Sequence, residues 1–308
     1  MTGALLALPG NERMASALAR ELGRNLMALE VHRFPDGETS LRVVGAAGKF
    51  DRIPGIAGCD VAIVCTLDHA DEKIIALLFA ADLARDLGAV RVGLVAPYLA
   101  YMRQDMRFNP GESVTARYFS RLLSASFDWL VTADPHLHRI ASLDGVYTIP
   151  SLAVQSAAAI GTWIRAHVQH PGLIGPDAES RQWVGEVARH AGAPFLVLEK
   201  TRHGDQQVEV SVPDAPWLPG CTPVIVDDIA STAHTLIAAV RALKDACKAA
   251  PQCVVVHALF AGDAFGDLRA AGVAHIASCD TVPHASNAIS LVPELADAVR
   301  RVCAMPPR

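Results

Sequence analysis

The stretch Pro223-Val-Ile-Val-Asp-Asp-Ile-Ala-Ser-Thr-Ala-His-Thr235 joins an apolar run to two adjacent carboxylates, Asp227 and Asp228, and then to a segment rich in hydroxyls. The apolar run predicts a buried strand that ends at the acids, with a short turn after them. Leu236-Ile-Ala-Ala-Val-Arg-Ala-Leu243 has helical apolar spacing, which predicts a helix from about Thr232 to Ala249 and places Ser231, Thr232, Ala233, His234 and Thr235 at its N-terminus. A helix start offers N–H groups without intrahelical partners and the positive end of the dipole, which suits a phosphate. Ser231, Thr232 and Thr235 add hydroxyl donors. Two carboxylates beside such a site repel the anion itself. They make chemical sense facing hydrogen-bond donors or a metal, such as the vicinal hydroxyls of a ribose whose 5-phosphate sits in the turn. A helix cap without ligand is the competing reading of the same residues.

Other residues carry weaker signals of their own. Thr132-Ala-Asp-Pro-His-Leu-His138 follows the apolar Trp129-Leu-Val131 and sets Asp134, His136 and His138 at a strand end, a pattern that can hold a divalent cation. Gly175-Pro-Asp177 ends Gly172-Leu-Ile174 and supplies another carboxylate there; this donor set suits Mg²⁺ bridging nucleotide phosphates better than structural zinc. Tyr98-Leu-Ala-Tyr-Met-Arg-Gln-Asp-Met-Arg107 gathers Arg103, Gln104 and Asp105 in a loop, where Arg can stack on a base and the amide or acid can read its edge. Phe34-Pro-Asp-Gly-Glu38 is a turn by its Pro and Gly, with an aromatic face and the acceptors Asp36 and Glu38. Lys200 and Arg202 follow Phe195-Leu-Val-Leu198 and precede a polar segment with Gly204, Asp205 and Gln206; a mobile flap with two cations could neutralise charge on a transferring phosphoryl group. Surface turns and solvated charge account for each of these segments taken singly.

The elements that must position these groups alternate between strand and helix. Val61–Cys65, a helix near Glu72–Leu87 with Ile74, Leu77, Leu78 and Ala81 on one face, and Val90–Ala96 form one such unit; Val224–Asp228, a helix and Cys253–His257 form a second. This alternation predicts an α/β protein with mostly parallel sheets flanked by helices. Hairpin-like pieces at 27–38 and 195–206 precede the two units, so the order and spacing suggest a duplicated domain. The expected division is 1–149, 150–290 and a C-terminal helix at 291–308 that could return to the first domain; Pro150 marks the break, with a helix expected from about Ser151.

Composition sets the outer limits. With 308 residues, 51% hydrophobic and 19% charged, the chain has ample core for two domains. A net charge of −5 recruits neither nucleic acid nor an anionic membrane, so an anionic ligand must be held by local groups. The apolar run at the N-terminus is too short for a signal peptide, no stretch approaches a membrane span, and the seven cysteines lack CxxC spacing, so a reducing cytoplasm is expected. There is no GxxxxGK[ST] loop, no GxGxxG between strand and helix, no GxSxG elbow and no HExxH helix.

In their order, Phe34–Glu38, Arg103-Gln-Asp105, Asp134-Pro-His136, Gly175-Pro-Asp177, Lys200-Thr-Arg202 and Asp227–Thr235 resemble the motifs of the ribose-phosphate diphosphokinase (phosphoribosyl diphosphate synthetase) family over nearly the whole chain. The resemblance implies two phosphoribosyltransferase-like domains and Mg²⁺-dependent transfer of the β,γ-diphosphoryl group of ATP to the 1-hydroxyl of ribose 5-phosphate, releasing AMP. It implies that Phe34, Asp36 and Glu38 approach adenine from a neighbouring subunit and that Arg103, with Gln104 and Asp105, holds the nucleotide. His136 and Asp177 would contact Mg²⁺, directly or through water, and His136 also belongs to the ATP side. Asp227 and Asp228 would take the ribose hydroxyls, Ser231, Thr232, Ala233, His234 and Thr235 the 5-phosphate, and Lys200 and Arg202 the charge of the transition state. Homo-oligomers, dimeric or larger, are implied as well.

This chain has His234 where many members have glycine, Ala178-Glu-Ser180 where many have two glycines, and Met106-Arg107 in place of a basic pair, which marks a divergent subgroup. A catalytically silent regulatory homologue and a phosphoribosyltransferase are the alternatives. Lys200, Arg202, His136 and the paired acids speak against the first, and the length, the apparent duplication and the Phe34–Glu38 and Arg103–Asp105 motifs against the second.

Overall fold

Continuous apolar runs become strands covered on both faces, and the helices between them supply the cover. A computed structural model describes residues 3–44, 55–137, 140, 142–203 and 207–306, without the side chains of 200–203 and 207–209. The expectations for His138, for Gly204-Asp205-Gln206 and for the side chains of Lys200 and Arg202 lie outside the described residues. The chain divides into two compact units, Met1–Val154 with Val292–Arg308, and Gln155–Leu291.

The first unit contains β1 (Gly3–Ala7), α1 (Glu12–Leu22), β2 (Asn25–Arg33), β3 (Thr39–Val44), β4 (Asp60–Val64), α2 (Ala70–Asp86), β5 (Arg91–Ala96), α3 (Thr115–Ser126), β6 (Trp129–Ala133) and β7 (Ser151–Val154). Its sheet runs β3-β2-β1-β4-β5-β6-β7, parallel except for β3, which folds back on β2 as a hairpin. Every residue of β4 and β6 is buried. Gly93 of β5 pairs with Trp129 of β6, and a Cβ at position 93 would lie 1.8 Å from the indole. The absent side chain is therefore the space the indole fills.

Two sequence expectations change here. Ser151–Val154 is a strand, because its backbone pairs with β6 from Leu130 to Ala133. The buried face of α2 is formed by Ala76, Leu77, Ala80, Ala81 and Ala84, while Ile74 and Leu78 are half-buried and Ile75 and Phe79 are exposed. Small side chains let the helix lie close on the sheet, so size rather than hydropathy selects the inner face.

The second unit contains α4 (Ala157–His167), β8 (Pro171–Gly175), α5 (Arg181–Ala191), β9 (Phe195–Val197), β10 (Glu199–His203), β11 (Gln207–Ser211), β12 (Thr222–Ala230), α6 (His234–Leu243), β13 (Gln252–Ala258), α7 (Ala264–Ala270), β14 (His275–Cys279) and β15 (Asn287–Ile289). Its six-stranded sheet is parallel throughout, in the order β15-β14-β13-β12-β8-β9. β10 and β11 form a separate antiparallel pair.

The final helix, α8 (Val292–Ala304), belongs to the first unit and packs on α1, β6 and β7. Arg91 of β5 donates to the carbonyl oxygens of Cys303 (3.2 Å) and Val302 (3.4 Å), placing a cation at the negative end of that helix. The same guanidinium lies 3.8 Å from the buried Asp60 carboxylate.

Candidate active site

Because the strands of each sheet other than β3 run parallel, their carboxyl ends share one edge, and most of the candidate residues fall on these two edges. In the first unit, the segment after β5 is held to the end of β6 by the Ala133 N–H, which donates to Pro97 O (3.3 Å). This segment carries Arg103, exposed, and Gln104 and Asp105, half-buried. Gln104 is fixed by its backbone, its N–H donating to Tyr101 O (3.3 Å) and its carbonyl accepting from Ala116 N–H (3.2 Å). Farther along, the Glu112 carboxylate accepts the N–H groups of Phe108 (2.8 Å) and Asn109 (2.9 Å) and the Asn109 amide. The Asn109 side chain, then the backbone donors, hold its pKa below the usual carboxylate range.

Tyr101, which sequence reasoning passed over, has φ +66 and hydrogen-bonds Asp71 in the first turn of α2. Its ring lies 4.7 Å from that of Phe119. The link joins positions that no local pattern relates, so only the folded chain reveals it.

At the end of β6, Asp134 and His136 both adopt left-handed backbone, φ +32 and +56, about Pro135. The Asp134 N–H donates to Val154 O (2.9 Å) and the His136 N–H to Asp134 O (2.8 Å), a tight turn that leaves Asp134 buried and His136 half-buried. The β2–β3 hairpin runs from Leu29 to Arg33 past the last residue paired with β1, about 16 Å at the rise of an extended strand. Its tip is Phe34–Glu38, closed by Phe34 N–H to Glu38 O (2.8 Å) and by Gly37 at φ +93. Phe34, Asp36 and Glu38 are all exposed there.

In the second unit, β12 does not stop at the acids. It continues to Ala230, with Asp227 opposite Val255 and Ile229 opposite His257 of β13, because β13 is long enough to pair with it that far. Val224, Ile225 and Val226 are fully buried, whereas Asp227 and Asp228 are half-buried where the strand emerges at the sheet edge. β12 pairs with β8 up to Ile225 opposite Ile174, and Asp177 follows two residues after the end of β8 at Gly175. Ser231, Thr232 and Ala233 form the turn, with Ala233 at φ +58 as the residue before α6. His234 and Thr235 therefore lie in the first turn of the helix, whose N–H groups face outward without i−4 partners. The helix ends at Leu243, earlier than its apolar spacing predicts.

Lys200 and Arg202 occupy alternate positions of β10, opposite Val210 and Val208. Among the described residues no group of three or more His, Cys, Asp or Glu converges tightly enough to hold a metal by protein ligands alone. By donor type, a carboxylate such as that of Asp177 fits a hydrated Mg²⁺ that takes most of its ligands from water and substrate oxygens, and an imidazole such as that of His136 can meet such an ion through one of its waters. No described helix is long and apolar enough to cross a membrane.

A family model for the N-terminal domain of ribose phosphate pyrophosphokinase matches residues 4–126, and one for the phosphoribosyl transferase domain matches 151–291. A ribose-phosphate pyrophosphokinase of Methanopyrus kandleri is 34% identical over 300 residues, covering 97% of this chain and 99% of the relative. Those of Methanosarcina acetivorans and Halobacterium salinarum are 30% and 31% identical, each covering 96% of this chain and 98% and 100% of theirs. The crystal structure of phosphoribosylpyrophosphate synthetase from Mycobacterium smegmatis superposes with a TM-score of 0.82 at 22% identity, over 98% of this chain and 99% of that one. The fold is thus shared along the whole length.

Proposed function

This chain belongs to the ribose phosphate pyrophosphokinase family, and from that premise we propose that it transfers the β,γ-diphosphoryl group of ATP to the 1-hydroxyl of ribose 5-phosphate, yielding 5-phosphoribosyl 1-diphosphate and AMP. The observation that carries the reading is the edge of β12. Asp227 and Asp228 lie in the last part of a buried strand, which ends two residues later at a turn and a helix start, so acceptors for sugar hydroxyls stand near donors for a phosphate.

Each group has a physical role in that reaction. The carboxylates of Asp227 and Asp228 accept hydrogen bonds from the ribose hydroxyls, while the N–H groups of the turn and the hydroxyls of Ser231, Thr232 and Thr235 hold the 5-phosphate. Fixing the sugar at both ends leaves its anomeric hydroxyl oriented for in-line attack on the β-phosphorus, with the bond from that phosphorus to the AMP oxygen breaking as the new bond forms and the hydroxyl proton passing to water. Arg103, Gln104 and Asp105 bind the nucleotide, and Lys200 and Arg202 neutralise the charge that grows on the transferring group. Asp177 and His136 would hold Mg²⁺, which when bound offsets the charge of the nucleotide phosphates. No side-chain nucleophile is needed, because phosphoryl transfer rests on alignment and charge.

Phe34, Asp36 and Glu38 are assigned to adenine recognition in a neighbouring copy of the chain. The length of the β2–β3 hairpin past the sheet edge and the exposure of its tip support this use, and a homo-oligomer follows from it. The seven cysteines form no disulfide and six of them are buried, which supports the reading of a reducing cytoplasm.

The test is ³¹P NMR of the protein with ATP and Mg²⁺, with and without ribose 5-phosphate. AMP and a sugar-linked diphosphate are expected only with the sugar. ATP left intact by folded, ATP-binding protein would overturn the assignment.

A further inference from the structure

We infer that Phe260 is a positioning residue for the phosphate turn, resting on the reading of Ser231–Thr235 as the sugar-phosphate site. The N–H groups of Leu259 and Phe260 both donate to Ala230 O (3.0 and 2.8 Å), and the Ala261 N–H donates to Ser231 O (3.0 Å). Three consecutive donors after β13 thus grip the last residue of β12 and the first residue of the turn. For that grip Phe260 adopts φ +36, a left-handed conformation disfavoured for any residue with a Cβ. Such a backbone persists only where the surroundings over-determine it, and it concentrates at functional sites.

The surroundings are a cluster of three rings. Phe260, 8% exposed, lies 5.2 Å from Phe265 and 4.9 Å from His284, and these two are 4.8 Å apart. Hydrogen-bond direction fixes the imidazole in turn. The Ser286 N–H donates to His284 Nδ1 (3.1 Å), so this nitrogen is an acceptor and the neutral ring carries its proton on Nε2. Partial burial of His284 lowers its pKa and favours this neutral form. Ser286 Oγ, 2.8 Å away, donates to Nδ1 as well. The fully buried Ser278 Oγ accepts from Asn287 Nδ2 (2.9 Å), and its O–H donates to Ser286 Oγ (2.8 Å) because the Ser286 hydroxyl proton is directed at His284. A one-way chain, Asn287 to Ser278 to Ser286 to His284, therefore seats the ring against Phe260. Phe260 in turn seats the backbone donors that hold Ala230 and Ser231. The buried apolar ring does not itself touch substrate in this account; it acts through the turn.

The wild-type protein is assayed first for ribose 5-phosphate-dependent release of AMP, because without that activity the functional reading itself falls. Phe260→Ala is then compared at varied ribose 5-phosphate and varied ATP. The KM for ribose 5-phosphate is expected to rise about tenfold, with the KM for ATP and kcat changed less than about threefold. An unchanged sugar-phosphate KM in folded variant, or equal rises in both KM values, would overturn the inference. If Phe260→Ala does not fold, His284→Ala loosens the same ring from its outer side and is read by the same split, with the same two overturning outcomes.

Discussion

The Tyr101 phenol donates a hydrogen bond to the Asp71 carboxylate 30 residues away, tying the segment that carries Arg103 to the first turn of α2. This bond, then partial burial, raises the phenol pKa above its ordinary value of 10. A folded-state pKa raised above the unfolded one contributes stability that is fully present below about pH 10 and is lost as pH rises through the folded value. The tie is therefore intact throughout the neutral range. Tyr101→Phe is expected to raise the KM for ATP about threefold with kcat nearly unchanged. The same variant should lose one phenolate transition above pH 10 in ultraviolet titration. An unaltered KM would show that the segment holds its shape without the bond.

Lys200 stands on β10, opposite Val210. If its charge acts in the transition state, Lys200→Ala should lower kcat by about a hundredfold or more while ATP affinity, measured by calorimetry, changes little. Collapse of ATP affinity with turnover retained would reassign Lys200 to ground-state binding.

Removal of divalent cations by EDTA should abolish AMP release, and added Mg²⁺ should restore it. The melting temperature without nucleotide is expected to move by less than about 2 °C, since no described cluster of protein ligands staples the fold through a metal. A large fall on chelation would reveal a structural ion.

Gly93→Ala places a methyl group where the fully buried Trp129 indole lies. A loss of about 3 kcal/mol is expected, read as a lower urea midpoint with an unchanged slope. A loss below about 1 kcal/mol would mean that the indole can move aside without cost.

The alternation of buried strands and helices was legible in the sequence because the covered strands Val61–Val64, Val92–Ala96 and Val224–Val226 are unbroken apolar runs, and so was the order of the motifs at their carboxyl ends. Elements decided by a distant partner were not. Ser151–Val154 has no strand-like composition and owes its conformation to the neighbouring Leu130–Ala133. The extension of β12 through Asp227 and Asp228 depends in the same way on the length of β13. The candidate site shows the same division. Asp227, Asp228 and the hydroxyls after them carry the proposed sugar-phosphate reading by type and spacing. Phe260 reads as an ordinary core residue, and its left-handed backbone appears only in the folded chain.

The return of Val292–Ala304 to the first unit has a consequence for synthesis on the ribosome. Domains usually fold as units while the chain emerges, N-terminal first. Here α1 and Arg91 must wait for a helix that is translated after all of Gln155–Leu291. The interior Gln155–Leu291 unit can be complete before its predecessor is, so the first unit spends elongation with one flank uncovered and closes last.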